Sequence, residues 1–348
     1  MKSSQSPQRY DRNQTYRWNY DHAPESTPHE DVPRVAGEWT FCGLPVDSPL
    51  GIPAGPLLNG RWVLYYAALG FDVLTYKTVR SSARECYPLP NLVPVGIDEI
   101  HGNERSVAMS DEMKGSWAVS FGMPSTSPDV WRRDIEWTRK QLPSGKLLSV
   151  SVVGTIQPDW SIEQLADDYA HCAKWAVESG ADCIETNFSC PNVSTCDGQL
   201  FQQPQSAAIV ADRVRAAIGN TPYIIKIGHV VTEEEARELL RSTGPFINAV
   251  AMTNSVAVPV TDTTGNPMFD GQVRGICGQA TFAASLSQVE LFQRVIASGE
   301  KEISIIGVGG ASSADDVRRY LTSGATAVHL ATAAMVDPLI GIKIRREL

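Results

Sequence analysis

From Pro49 to near the C-terminus the chain repeats one unit about eight times, a short β-rich apolar run followed by a segment with helical periodicity. The runs fall near 51–54, 73–78, 147–154, 182–188, 223–228, 248–253, 303–308 and 327–331. The helical patterns include 58–69, 161–179, 204–218, 231–242, 284–298 and 312–323, and Ser161, Thr232 and Ser312 stand where N-cap residues are expected. Strands separated by helices must run parallel, because the chain has to cross back over the sheet before the next strand begins. About eight such units are what a closed (β/α)8 TIM barrel requires. The competing arrangement is a doubly wound open sheet, but no G-x-G-x-x-G follows the first strand.

A length of 348 residues suits one barrel with appendages. Residues 41–348 read as a single barrel domain. Residues 1–40 read as a polar arm in which Pro24, Pro28 and Pro33 interrupt any helix. The arm lacks an apolar leader segment, and no run of the chain approaches the roughly 20 apolar residues that cross a bilayer, so no membrane role and a cytoplasmic location are expected. A formal charge of −9 without a basic patch argues against a nucleic-acid partner. The seven cysteines form an odd set with no C-x-x-C pair, which indicates neither a disulfide framework nor a metal site. Cys172 and Cys183 lie in apolar-periodic segments and read as buried hydrophobes.

Two stretches, 79–146 and 253–280, exceed ordinary βα loops. Both follow strands, so they belong at the C-terminal face, where barrel active sites are built. The polar residues that most need explaining end strands on that same face: Lys77, Asn187, Lys226, Asn254 and Ser255. A buried ammonium is costly without a partner, and two lysines aimed at one mouth suggest a shared anionic or electron-rich ligand. Further on, I-I-G-V-G-G-A-S-S carries Gly307, Gly309 and Gly310 from a strand into a helix, and A-V-H-L-A-T-A follows about twenty residues later. Glycines allow backbone N–H groups to approach a phosphate, so this pair reads as a phosphate grip after the seventh and eighth strands.

N-F-S-C-P-N at 187–192, L-T-Y-K-T at 74–78, I-K-I at 225–227, T-N-S at 253–255 and G-V-G-G at 307–310 together resemble the dihydroorotate dehydrogenase family. The dihydropyrimidine dehydrogenases share a similar domain and cysteine motif. The resemblance implies flavin mononucleotide (FMN) across the barrel mouth, with its phosphate on Gly309, Gly310, Ala331 and Thr332. It implies Ala54, Gly55, Lys77 and Thr78 around the isoalloxazine, Lys226 beside its N1 and C2 oxygen, and Asn187 and Gly278 as further cofactor contacts. Substrate would be held by Lys77, Ser120, Gly122, Met123, Asn187, Asn192, Asn254 and Ser255. Cys190 would remove a proton from the carbon next to the one that gives up hydride, with Lys77 completing the catalytic set. A thiol suits that work, since its pKa near 8.5 is readily tuned downward. Cysteine at this position resembles the soluble class, in which the enzyme is a homodimer using fumarate or is joined to an electron-transfer partner subunit for NAD.

One stretch departs from the family pattern. The substrate loop, usually close to N-S-M-G-L-P-N, is V-S-F-G-M-P-S from Val119 to Ser125, and Asn91 stands where relatives often carry Arg. Each lost buried amide leaves a ligand group unpaired at about 1–3 kcal/mol. The expected function is oxidation of dihydroorotate to orotate in pyrimidine synthesis. An FMN enzyme for another dihydropyrimidine or conjugated carbonyl is the second reading, and a non-catalytic flavin-binding protein the third.

Overall fold

A computed structural model describes residues 7–189, 196–299 and 301–348. Eight parallel strands close into a barrel: β1 (Leu50–Ile52), β2 (Val73–Val79), β3 (Leu147–Val152), β4 (Cys183–Asn187), β5 (Tyr223–Lys226), β6 (Ala249–Met252), β7 (Ser304–Val308) and β8 (Ala327–His329). Each pairs with its neighbours in sequence, and β8 closes the ring on β1 with Val328 opposite Leu50 and His329 opposite Gly51. The closed ring settles the barrel against the open sheet. Helices follow as α1 (Gly60–Ala68), α2 (Pro128–Gln141), α3 (Ile162–Glu178), α4 (Pro204–Ile218), α5 (Glu233–Thr243), α6 (Phe282–Ala297), α7 (Ala314–Thr322) and α8 (Ile340–Glu347).

Local chemistry sets the helix starts. Ser161 with Gln164, and Thr232 with Glu235, form reciprocal capping boxes at α3 and α5. At α7 the cap is Ser313, not the expected Ser312. Ser313 has extended backbone and accepts from the Asp316 N–H, while Ser312 is one residue outside, its own N–H donating to the Asp316 carboxylate at 2.9 Å. Two adjacent serines both suit a cap, and the reach of Asp316 selects between them.

The barrel interior is layered by strand alternation. At the N-terminal end Val73, Leu147, Cys183, Ile224, Ala249, Ile306 and Ala327 pack together, plugged by Phe41 and Val46 from a hairpin of Trp39–Phe41 and Leu44–Val46. Toward the C-terminal end the inward positions become polar. Cys172 and Cys183 are fully buried, and burial pushes both thiols up, as expected of packing residues.

The two long insertions meet above the mouth. Ser116–Val119 pairs antiparallel with Leu92–Pro94 from its own insertion and with Arg274–Gly278 from the other, and Arg274–Gly278 pairs in turn with Val256–Val258. The arm lies along α1: Trp62 Nε1 donates to the Asn19 carbonyl at 3.2 Å, Asn59 to that of Tyr20 at 2.8 Å, and the Tyr65 hydroxyl to that of Gln8 at 3.1 Å. No helix among the described residues is long and apolar enough to cross a membrane.

At the opposite, N-terminal face, fully buried Asp72 ties α8 to the barrel. It accepts from Lys146 at 2.6 Å, from Arg345 at 2.7 Å and from the Ser48 hydroxyl, and Arg345 also donates to the carbonyls of Pro33 and Gly70. Removing the charge from such a hub leaves two cations uncompensated, one of them deeply buried. Asp72→Asn is expected to lower unfolding stability by about 3–5 kcal/mol, read by urea denaturation, with the barrel mouth unaffected.

Candidate active site

A cavity of about 370 Å³ opens at the C-terminal mouth, within the roughly 300–1,000 Å³ range of small-molecule and cofactor sites. Lys77 and Thr78 reach it from β2, Asn187 from β4 and Lys226 from β5, while Asn254 and Ser255 reach it just past β6. Ala54 and Gly55 after β1, and Gly278 at the end of the Arg274–Gly278 strand, complete that wall. Cys190 and Asn192 lie outside the described residues.

Hydrogen bonds fix the polar ends. The Asn187 carboxamide accepts from the Ser189 N–H at 3.1 Å and donates to the Met123 sulfur at 3.5 Å. Asn254 donates to the Ser189 carbonyl at 2.5 Å, so both asparagines anchor the start of the segment that leads to Cys190. Thr78 and Ser151 share a hydroxyl contact at 3.0 Å. Lys226 is buried at 4% exposure and makes no side-chain hydrogen bond among the described residues. A cation so placed is suited to an electron-rich ligand.

On the far side Gly309, Gly310, Ala331 and Thr332 form one edge of the cavity. Among the described residues no backbone carbonyl accepts from the N–H groups of Gly309, Gly310 or Thr332. Orphan N–H groups converging on a cavity edge fit a phosphate, and with the lysines opposite they fit a phosphorylated, electron-accepting cofactor such as FMN. Gly310 has φ +72, and a Cβ there would stand 2.7 Å from the Phe282 backbone. Gly309 lines the cavity as expected and has a second contact behind it. A Cβ would meet Ser285 Oγ at 2.0 Å before anything in the cavity, so this glycine serves helix packing as well as ligand approach.

The substrate loop is only partly a cavity wall. Val119, Phe121, Gly122 and Met123 line it, whereas Ser120 does not: its hydroxyl accepts from Arg274 Nε at 2.9 Å and its carbonyl from Asn91 at 2.8 Å. Ser125 also faces away, accepting from the Arg80 N–H at 3.1 Å and donating to the Thr126 carbonyl at 2.8 Å. Asn91 therefore works as a backbone clamp, donating as well to the carbonyls of Tyr87 and Pro88. Met123 holds φ +52, an unfavourable conformation for a long side chain, and buried Arg80 secures it through a 3.1 Å bond to its carbonyl.

Three further wall residues escape sequence reasoning. Tyr10 and Tyr16 of the arm line the cavity and stack edge-on against Phe121, at 6.0 and 6.1 Å. The cluster of arm tyrosines was the available signal. His329 faces the cavity from inside the barrel, and a histidine ending an otherwise apolar strand was the clue.

Strand-end lysines and asparagines, N–H groups without a backbone carbonyl partner among the described residues, and insertions over the mouth suit a barrel enzyme that takes a phosphorylated cofactor beside its substrate. A family model described as dihydroorotate dehydrogenase matches residues 37–348, and the chain belongs to that family. Its enzymes are FMN-dependent oxidoreductases acting on dihydroorotate in pyrimidine biosynthesis. Dihydroorotate dehydrogenase of Dictyostelium discoideum is 29% identical, over 96% of this chain and 95% of that protein. The catalytic subunit of dihydroorotate dehydrogenase B (NAD(+)) from Bacillus pumilus is 29% identical over 52% of this chain, which spans 57% of that subunit. Among solved structures, the Eimeria tenella enzyme in complex with ferulenol superposes with a TM-score of 0.75 at 18% identity, covering 95% of this chain and 88% of that one, a likeness of fold.

Because Gly309 abuts Ser285, Gly309→Val is expected to destabilise the cofactor-free protein by about 1–3 kcal/mol as well as to reduce FMN content. A thermal melt of the apoprotein matching wild type would confine the residue's role to the ligand.

Proposed function

We propose that this chain oxidises dihydroorotate to orotate, with FMN at the barrel mouth and Cys190 as the base. The observation that carries the reading is the convergence of Lys77, Lys226, Asn187 and Asn254 on one cavity whose opposite edge offers N–H groups with no backbone carbonyl partner among the described residues. Bound there, FMN supplies the two-electron acceptor for the substrate's hydride. Gly309, Gly310, Ala331 and Thr332 hold its phosphate, while Ala54, Gly55, Thr78 and Gly278 line the ring's side of the cavity. Lys226 offsets negative charge at N1 and the C2 oxygen, a preorganised cation in a dry site. Lys77, which also lines the cavity, would contact both ring and substrate.

Asn187, Asn192, Asn254 and Ser255 present donors and acceptors to the amide edges of a pyrimidine. Gly122 and Met123 close over it, with Ser120 supporting them from behind. Cys190 takes the proton from the carbon adjacent to the hydride donor. What supports the reading is that the Asn187 and Asn254 carboxamides both hydrogen-bond the backbone of Ser189, the residue before it in sequence.

A second reading, a different dihydropyrimidine or conjugated carbonyl as substrate, is favoured by Val119, which gives the cavity an apolar wall, and by Ser125, which turns to the backbone. Residues 41–348 act as one catalytic domain in this reading and residues 1–40 as its arm, in the cytoplasm. Of the two acceptor arrangements, a fumarate-reducing homodimer or a subunit joined to an electron-transfer partner, the second has the support of the Bacillus pumilus relative's name.

Anaerobic mixing of the FMN-loaded protein with dihydroorotate, dihydrouracil or dihydrothymine tests the substrate: bleaching by dihydroorotate alone is expected, and bleaching only by another compound would transfer the assignment to it. For the base, Cys190→Ala is expected to bind FMN and substrate yet reduce flavin about 10²–10⁴-fold more slowly. Wild-type single-turnover rates should rise with pH through a thiol-like pKa, and the alanine variant should lose that dependence. An alanine variant at full speed would exclude Cys190 as base.

A further inference from the structure

Below the mouth the barrel interior holds a set of polar groups that the proposed chemistry leaves without a task. Thr75, Ser149, Glu185 and His329 are all buried, and Thr75 Oγ1, Ser149 Oγ, Glu185 Oε1 and both ring nitrogens of His329 have no hydrogen-bond partner among the described residues. Strand register places them together. Thr75 is opposite Ser149, Ser151 opposite Glu185, and Glu185 is two residues before Asn187, the partner of Lys226. Side chains two apart share a face, so Glu185 and Lys226 are diagonal neighbours on the inside of β4 and β5.

Both of these groups are almost wholly desolvated, Glu185 at 2% and Lys226 at 4% exposure. Burial raises the Glu185 carboxyl above its usual range, while the Lys226 ammonium and the Ser151 hydroxyl pull it back down. His329 also faces this space, stacked on Phe41 with ring centroids 5.7 Å apart. Burial, and then Lys226, push its pKa down to about 3, so at neutral pH it stands by as an uncharged ring. Lys77, the other lysine at the mouth, adds positive charge above. Glu185 is thus the one carboxylate available to Lys226 from within the barrel among the described residues, and an uncompensated buried cation is costly.

We propose that Glu185 is a positioning residue: an inner-barrel counter-charge that holds the Lys226 ammonium at the cavity floor and tempers the stabilisation Lys226 gives to reduced flavin. The inference rests on the placement of FMN proposed above. Its sign follows from charge. A cation beside the ring favours the reduced, more negative flavin and raises the potential, and a carboxylate beside that cation lowers it again. Glu185→Gln keeps the shape and removes only the opposing charge.

The test is an anaerobic redox titration of FMN-loaded wild type and Glu185→Gln against a reference dye, with thermal melts of both apoproteins. The reduced-to-oxidised ratio at a fixed potential should rise about tenfold in the glutamine variant, equivalent to about 30 mV for a two-electron couple. Should that variant fail to fold, Glu185→Asp, which withdraws the carboxylate by one methylene, should shift the ratio in the same direction by less. A ratio unchanged within twofold, or one that falls, would overturn the proposal, even if the melting temperature drops, because that is what a merely structural carboxylate would give. Wild-type protein that takes up no FMN would instead overturn the placement on which it rests.

Discussion

Closure of the strand ring at the β8–β1 seam is the constraint from which the site follows. In an open sheet, Lys77 on the second strand and Lys226 on the fifth would point away into separate surroundings. Closing the ring brings both to one mouth. The seam itself imposes a residue. Gly51 is opposite His329, and a Cβ at 51 would lie 2.4 Å from the imidazole. Glycine there allows an aromatic ring to fill the interior at the point where the barrel closes.

A second constraint acts above the mouth, where the insertions must hold an irregular loop without regular ladder bonds along its length. Buried side chains take over that work. Arg80 binds the Met123 carbonyl at 3.1 Å and that of Gly154 at 2.5 Å, Asn91 binds three carbonyls, and Arg274 reaches Ser120 while lying over the rings of Tyr87 and Phe269. The polar groups of the loop are committed to shape, leaving Val119, Phe121 and Met123 to face the cavity. This is why its departure from the family's amide pattern changes the wall's chemistry without loosening the loop.

The barrel was legible because each strand is a short apolar run between helical segments, and all eight runs became barrel strands. The strand-end site was legible for the same reason: once a strand is placed, its last residues belong to the mouth, and every strand-end residue singled out from sequence lines the cavity. Contacts without a local signature were not legible. Ser120 looks like a ligand contact until Arg274, 154 positions away, occupies its hydroxyl. Gly309 reads as a phosphate glycine, but no local pattern shows that the Ser285 side chain also packs at its back. Tyr10 and Tyr16 lie in a segment whose prolines and charges suggest only an arm, and their place over the cavity depends on bonds to α1 that no periodicity encodes. Ser312 and Ser313 are equivalent as caps until the Asp316 carboxylate distinguishes them.

The polar upper layer of the barrel also explains why cofactor and fold are coupled. At the N-terminal end the interior is apolar and the charges of Asp72, Lys146 and Arg345 satisfy one another, so that face needs no ligand. At the C-terminal end Lys226 is buried with no side-chain hydrogen bond among the described residues, above hydroxyls and an imidazole without partners. A buried cation so placed is costly until something electron-rich engages it. A ligand that binds only the folded state stabilises it by RT ln(1 + [L]/Kd), about 2.7 kcal/mol at a hundredfold excess over Kd. In the placement proposed above, the cofactor would complete the electrostatics around Lys226, much as Asp72 completes those of the lower barrel.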